Sequence, residues 1–176
     1  MTTEFVSQLE SLHKDAFGWA LHCCCGDFDL AEEVLQLAYA KLLDGRACFA
    51  GDSALKTWWF GVLRFTALEE LRRLRFRRSL LGKLLQFGAD DTEEVASPRE
   101  NVERSEQATK LQAMLAKLPP RQAEVLHLVF FQDMTIAEAS VLMKISVGSA
   151  RQHYERAKAG LRTLFQTELE VPNEVS

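Results

Sequence analysis

Between Leu118 and Ser146 the chain is punctuated three times, and each mark leaves room only for short helices. Leu118-Pro119-Pro120 ends whatever helix precedes it, because proline lacks the N–H a helix interior needs and pushes its predecessor out of the helical region. Thr135 followed three residues later by Glu138 is a capping-box pattern, in which each side chain satisfies a backbone donor at a helix start. Ser146 stands where a further cap is needed, after the turn "MKIS". The segment from Ser105 to Phe165 therefore divides into four helices. The second is "RQAEVLHLVFFQ", with Val125, Leu128 and Val129 facing inward.

At ~100° per residue, Ala150, Tyr154, Ala157, Leu161 and Phe165 of the fourth helix form one stripe that must pack on its neighbours. The far side carries Gly148, Ser149, Gln152, Glu155 and Arg156, flanked by Arg151 and His153. Two short helices joined by a tight turn, the second starting with small residues and continuing with Arg and Gln, is a layout for reading DNA. Gly148 and Ser149 let the helix N-terminus approach a phosphate, and Arg151, Gln152 and Arg156 are long donors able to reach base edges. The bland alternative is an amphipathic helix with a solvated charged face.

The rest of the chain is also helical in composition. Four Pro and nine Gly punctuate 176 residues, 47% of them hydrophobic, and no alternating β-branched run suggests a sheet. Phe5, Leu9, Leu12, Ala16, Trp19 and Ala20 recur at helical spacing, with "CGDFD" (Cys25 to Asp29) as the break after them. Asp29 with Glu32 can cap the next helix, whose apolar side is Leu30, Val34, Leu37, Tyr39 and Leu42. Asp52 or Ser53 can cap a helix running from about Ala54 to Arg78. The expected architecture is all-α: two small helical domains, residues 1–80 and 106–170, joined by a flexible acidic linker over 81–105, the second domain a helix-turn-helix.

Charge is organised in blocks that the net value of −4 conceals. Arg72 to Arg78 ("RRLRFRR") and the last helix are basic, while the first third and Asp90 to Glu106 are acidic. A polyanion responds to the local field within about a Debye length, so two basic patches separated by acid are compatible with DNA.

"LPPRQAEVLHLVFFQDMTIAEASVLMKISVGSARQHYERAKAGLR" resembles region four of bacterial RNA polymerase sigma factors, most closely the extracytoplasmic-function (ECF) type. Leu118-Pro119, Thr135, Glu138, Ile145-Ser146, Gly148-Ser149 and Arg156-Ala157 match without a gap. Ala139, Ser140, Lys144 and Ala150 depart from it, Lys144 standing where a turn glycine is usual. The resemblance implies that Thr135, Ser146, Gly148, Ser149, Arg151, Gln152, His153, Glu155 and Arg156 face the −35 promoter element.

The first half resembles sigma region two. "AEEVLQLAYAKLL" (Ala31 to Leu43) is similar to the helix that binds the polymerase clamp, which implies contacts from Glu32, Glu33, Gln36 and Tyr39. "LKTWWFGVLRFTALEELRRLRFRR" (Leu55 to Arg78) is similar to the helix that helps capture the melted −10 element, with Trp58, Leu71 and Arg72 in frame. Phe65 stands in place of a family asparagine, so no polar role is carried onto it. The chemistry is coherent on its own terms. The small, polar loop "CFAGDS", with Phe49, Asp52 and Ser53, can pocket a flipped base, and Trp58 can stack on one. Arg64, Arg72, Arg73 and Arg75 can hold the backbone. Core packing competes for Trp58, Trp59 and Phe60.

These readings imply a sigma factor that joins core RNA polymerase, binds promoter DNA and is held by an anti-sigma factor. The alternative is a stand-alone helix-turn-helix regulator. No cofactor or metal is expected, because consecutive helical residues Cys23, Cys24 and Cys25 point ~100° apart and no CxxC pair exists. They read as small buried hydrophobes, with an oxidation switch at Cys23 or Cys25 as the sharper alternative. An enzyme is not expected: His13, His22, His127 and His153 lack motif partners, and no phosphate-binding glycine loop exists. The absence of a signal peptide, of a membrane span and of a disulfide framework (Cys23, Cys24, Cys25 and Cys48 alone) points to the cytoplasm.

Overall fold

The computed structural model describes residues 3–85 and 113–169, all of whose regular structure is helical. The chain divides into two units, residues 1–100 and 101–176. The acidic segment expected between the domains lies outside the described residues.

The first unit holds α1 (Thr3–Ser11), α2 (His13–Cys23), α3 (Phe28–Leu43) and α4 (Leu55–Leu85). The expected single N-terminal helix is broken at Leu12. The Ser11 hydroxyl donates to the Gln8 carbonyl at 2.6 Å, drawing off an acceptor at the end of α1, a competition serine often introduces. α2 ends with Cys25 at φ 56° and Gly26 at φ 88°, and their N–H groups donate back to the His22 and Leu21 carbonyls. That left-handed exit closes the helix and turns Asp27 into an extended conformation. Asp27, not Asp29, therefore caps α3, its carboxylate accepting from Leu30 N–H at 3.0 Å.

α4 begins at Leu55, with the Ala54 carbonyl accepting from Trp58 N–H, so the cap position falls on Ala54 and neither Asp52 nor Ser53 fills it. The helix passes the expected end at Arg78 and the expected domain limit at residue 80. Leu and Arg favour helix and no Gly or Pro intervenes before Gly82.

α2, α3 and α4 pack around Ala20, Leu21, Cys24, Leu30, Ala31, Val34 and Ala67, with Leu71 and Leu74 closing the edge. Trp19, Trp59, Phe60 and Leu63 are fully buried. Trp19 Nε1 donates to the Phe60 carbonyl at 3.0 Å and its ring stacks on Phe60, so one side chain fixes α2 against α4 by shape and by hydrogen bond. Lys41 on α3 reaches both Glu69 and Thr66 on α4.

The second unit holds a helical turn at 113–116, then α5 (Pro120–Leu126), α6 (Ile136–Met143) and α7 (Val147–Leu169). Pro120 sits in the first turn of α5, where its missing N–H is harmless. The helix expected to continue to Gln132 changes to a π turn over His127–Phe131, closed by Met134 N–H donating to the Leu128 carbonyl and by Asp133 at φ 52°. The wider turn shifts the facing of its residues: Val125 and Leu128 are fully buried, whereas Val129 is only half-buried. Leu115, Leu118, Ala123, Leu126 and Ala157 form the core, flanked by Tyr154, Leu161 and Leu164. Phe165, expected on that stripe, is exposed, and Leu164 takes the inward place because the straight helix drifts relative to its partners.

Candidate nucleic-acid interface

The α6–turn–α7 segment is assembled by local bonds. Thr135 accepts from Glu138 N–H at 3.2 Å, while Glu138 Oε2 accepts from both the Thr135 N–H and its hydroxyl. Both halves of the expected capping box are thus present. Lys144, at φ 54° and ψ 49°, closes α6, and Ile145 N–H donates to the Ser140 carbonyl. Ser146 Oγ then accepts from Ser149 N–H at 3.0 Å and lies 2.9 Å from Ser149 Oγ. The cap uses only one of the free donors at the start of α7, leaving others to face solvent.

Ala150 and Ala157 are fully buried, and this fixes the rotation of α7. Gly148, Arg151, Gln152, Glu155 and Arg156 are consequently exposed, Ser149 and His153 half-buried. A Cβ at Gly148 would meet only Ser146 Oγ, at 3.8 Å, so nothing inside the chain demands glycine there. Arg151, Gln152 and Arg156 make no side-chain hydrogen bond or ion pair with another described residue. Glu155 is paired with Lys158 at 2.9 Å, and that ammonium lies over the Tyr154 ring. His153 Nδ1 is enclosed without a hydrogen-bond partner, whereas Arg151 on the other flank is exposed. The arrangement is a helix N-terminus with a small, open approach and three uncommitted long donors.

In the first unit, the loop between α3 and α4 carries Phe49 half-buried, Asp52 exposed and Ser53 half-buried, with Gly51 at φ 84°. Phe49 lies 5.3 Å from the Trp58 ring and 6.2 Å from Phe5, so α1 closes over one side of this loop. Phe5 was not singled out from the sequence, where its period-matched position reads simply as core. Trp58 is half-buried within that aromatic group, while Trp59 and Phe60 are core residues. Arg72 and Arg75 are exposed, Arg64 is half-buried, and Arg73 is paired with Glu70 at 3.0 Å.

Glu32, Glu33 and Gln36 are exposed on α3, and Glu32, Gln36 and Tyr39 fall within about 60° of one another around it. Tyr39 hydroxyl and His13 Nδ1 are 3.1 Å apart, and the Tyr39 ring rests 4.9 Å from Trp59. Burial, with the Glu10 carboxylate second, raises the phenol above its usual range, so it stays a neutral hydrogen-bonding group. An apolar cleft of about 530 Å³, lined by Val6, Leu9, His13, Tyr39, Leu42 and Leu43, adjoins this face. Among the described residues no cluster of His, Cys, Asp or Glu could hold a metal, and no helix is long and apolar enough to cross a membrane.

Cys24 is buried, and desolvation, reinforced by Asp27 and Cys25, pushes its thiol up to about 12. Cys23 is half-buried, and Cys25 and Cys48 are exposed. The expectation of buried cysteines therefore fits only one of the three neighbours, since the left-handed exit of α2 turns Cys25 outward.

Residues 9–77 match the model of sigma-70 region 2, and residues 108–161 that of sigma-70, region 4. The chain is 24% identical to the ECF RNA polymerase sigma factor SigX of Bacillus subtilis, over 92% of this chain and 84% of that one. It is 29% identical to the ECF RNA polymerase sigma factor SigF of Caulobacter vibrioides, over 76% and 67%. Among solved structures, the sigma factor RpoE from Bartonella quintana, in complex with the anti-sigma factor NepR, is similar in fold. Its TM-score is 0.71 at 21% identity, covering 94% of this chain and 98% of that one. With both regions present in order, the chain belongs to the sigma-70 family of RNA polymerase sigma factors.

Proposed function

We propose that this protein is an alternative sigma factor that joins core RNA polymerase, directs it to specific promoters and assists their melting. The observation that carries the reading is the pairing of two features in one chain. One is a capped, exposed helix start whose Arg151, Gln152 and Arg156 are uncommitted; the other is a separate helical unit of region-two type. Either alone would serve a simple DNA-binding regulator.

In this reading α7 enters the major groove at the −35 element. Gly148 and Ser149 lie at the phosphate backbone, and Arg151, Gln152 and Arg156 face base edges, with Thr135 and Ser146 holding the two helix starts. Glu32, Glu33, Gln36 and Tyr39 present one face of α3 to polymerase. The loop with Phe49, Asp52 and Ser53 receives a base of the opened −10 element, and Arg64, Arg72, Arg73 and Arg75 hold its backbone. The protein works in the cytoplasm by binding, not by catalysis, and an anti-sigma factor restrains it, as NepR is bound to the RpoE relative.

The test is in vitro transcription with core polymerase on a pool of genomic promoters, alongside a pull-down of core enzyme. Gln36→Ala and Tyr39→Ala should each weaken capture of core. A wild-type chain that neither binds core nor directs transcripts would overturn the reading in favour of the stand-alone regulator.

A further inference from the structure

Of the nine residues of α1 only Leu9 is buried, and Phe5, four positions earlier on the same face, is half-buried. A helix this short does not hold its shape alone in water, so α1 depends on what those two side chains touch. Leu9 enters the cleft it shares with Tyr39 and Leu42. Phe5 goes instead to the loop between α3 and α4. Its ring lies 6.2 Å from Phe49, with the planes 28° apart, and 6.4 Å from Trp58. Phe49 and Trp58 are themselves 5.3 Å apart, so the three rings close on one another. No side-chain hydrogen bond or ion pair joins α1 to another described element, whereas α2 and α3 are each tied to α4 by Lys56–Asp15 and Lys41–Glu69. At Leu12, with φ −86° and ψ −4°, the helical run is interrupted, which gives α1 a joint of its own.

Phe5 is therefore a flat apolar group seated on the ring faces that the loop would offer to an unpaired base. One ring face takes one stacking partner, so Phe5 and a base exclude each other. A base stacked on an aromatic side chain is worth roughly 5- to 150-fold in affinity, and an aromatic side-chain pair roughly 2- to 13-fold. The base prevails, but against a competitor built into the chain. A permanent wall of the site would be tied to the loop by polar bonds, and α1 is not. We propose that α1 is a displaceable lid and Phe5 its plug: the ring fills the Phe49–Trp58 site in the closed chain, and an unpaired base entering the loop expels it. What Phe5 gains by seating is subtracted from the binding of the base, and a bound base in turn undocks α1. This rests on the sigma-factor reading of the loop. It concerns a residue that precedes the matched region, residues 9–77.

The experiment uses holoenzyme assembled from the full chain and core polymerase. The probe is a fork-junction DNA whose single-stranded end is a randomised pool, compared with the fully duplex fragment. Phe5→Ala should raise fork affinity roughly 2- to 13-fold, one aromatic contact removed from the competition, and leave duplex affinity and core binding unchanged. In a Phe49→Ala background that gain should disappear, since the face it frees is gone. Hydrogen exchange of the α1 peptide in wild-type holoenzyme should rise on adding fork DNA and not on adding duplex, a loosening where binding ordinarily protects. In the free chain, Phe5→Ala should raise acrylamide quenching of Trp58, the indole that is not sealed in the core. Unchanged fork affinity of Phe5→Ala would overturn the plug, and lowered affinity would make Phe5 a fixed wall of the site. Protection of α1 by fork DNA, or an equal gain in the Phe49→Ala background, would overturn it as well. A wild-type chain that forms no holoenzyme would instead overturn the reading beneath, and the quenching measurement would still decide whether Phe5 covers Trp58.

Discussion

Lys144 holds the turn that aims α7, and it does so in a conformation ill-suited to lysine. At φ 54° and ψ 49° its Cβ crowds the following carbonyl, a strain of about 1–2 kcal/mol for a residue with a side chain. Glycine escapes that strain but loses about 0.5–1 kcal/mol more backbone entropy on folding. The difference predicts that Lys144→Gly is more stable than Lys144→Ala by about 0.5–1 kcal/mol. Comparing these two variants isolates the backbone, because both remove the lysine side chain with everything it touches. For a unit of this size the increment raises the melting temperature by roughly 2–8 °C. Hydrogen–deuterium exchange of peptides from α6 and α7 in the full chain under increasing urea reads the second unit separately. As a control, Ala159→Gly on the exposed face of α7 should lose about 1 kcal/mol, since its backbone is helical. Equal protection in the alanine and glycine variants, or greater protection with alanine, would refute the reasoning.

Four further outcomes are expected. Arg151→Ala or Gln152→Ala should lose about 1–3 kcal/mol on preferred −35 sequences and relax promoter choice, whereas Lys158→Ala should weaken binding evenly, as read by transcription from a promoter pool. A Cβ at Gly160 would lie 2.8 Å from Leu118 Cδ2, so Gly160→Ala should be more favourable in a Leu118→Ala background than in wild type by about 1 kcal/mol, measured as a double-mutant cycle. Burial lowers His22 to about 4 in the folded chain, against 6.5 when unfolded. Unfolding therefore takes up a proton between those values, and stability falls as pH drops from about 6.5 to 4, by up to about 3 kcal/mol, then levels. His22→Gln should flatten that part of the circular-dichroism stability profile. Iodoacetamide should label Cys25 and Cys48 well before Cys24, by mass spectrometry of timed samples, because a buried thiol held near 12 offers little thiolate.

Features encoded within one turn of helix were legible from the sequence. The Thr135–Glu138 box and the Ser146 cap each need residues three apart and nothing else, and both formed as read. The buried line through Ala150 and Ala157 came from periodicity, although its extrapolation to Phe165 outran the packing that ends at Leu164. Errors arose where a backbone reversal decided between neighbours. Asp27 and Asp29 are equivalent as letters, and only the left-handed Cys25–Gly26 exit selects the first. The π turn after Leu126 likewise has no simple composition, since Leu, Val and Phe suit either winding. Contacts between helices, such as Lys41 with Glu69 or Trp19 with the Phe60 carbonyl, leave no local trace at all. For the candidate interface, residue type and spacing identified the helix faces, but not that Arg73 and Glu155 are already paired or that His153 Nδ1 is enclosed.

The aromatic group around Trp58 has an optical consequence. All three tryptophans, Trp19, Trp58 and Trp59, sit in the first unit, and the first and last are sealed from water. Indole emission from this protein therefore originates wholly in the first unit, and of the three indoles an aqueous quencher can reach Trp58 alone. Because that ring lies against Phe49 in the loop beneath α1, its accessibility tracks what enters or leaves the loop. On the proposed function, in which that loop receives an opened base, the chain carries its own dye at the binding point.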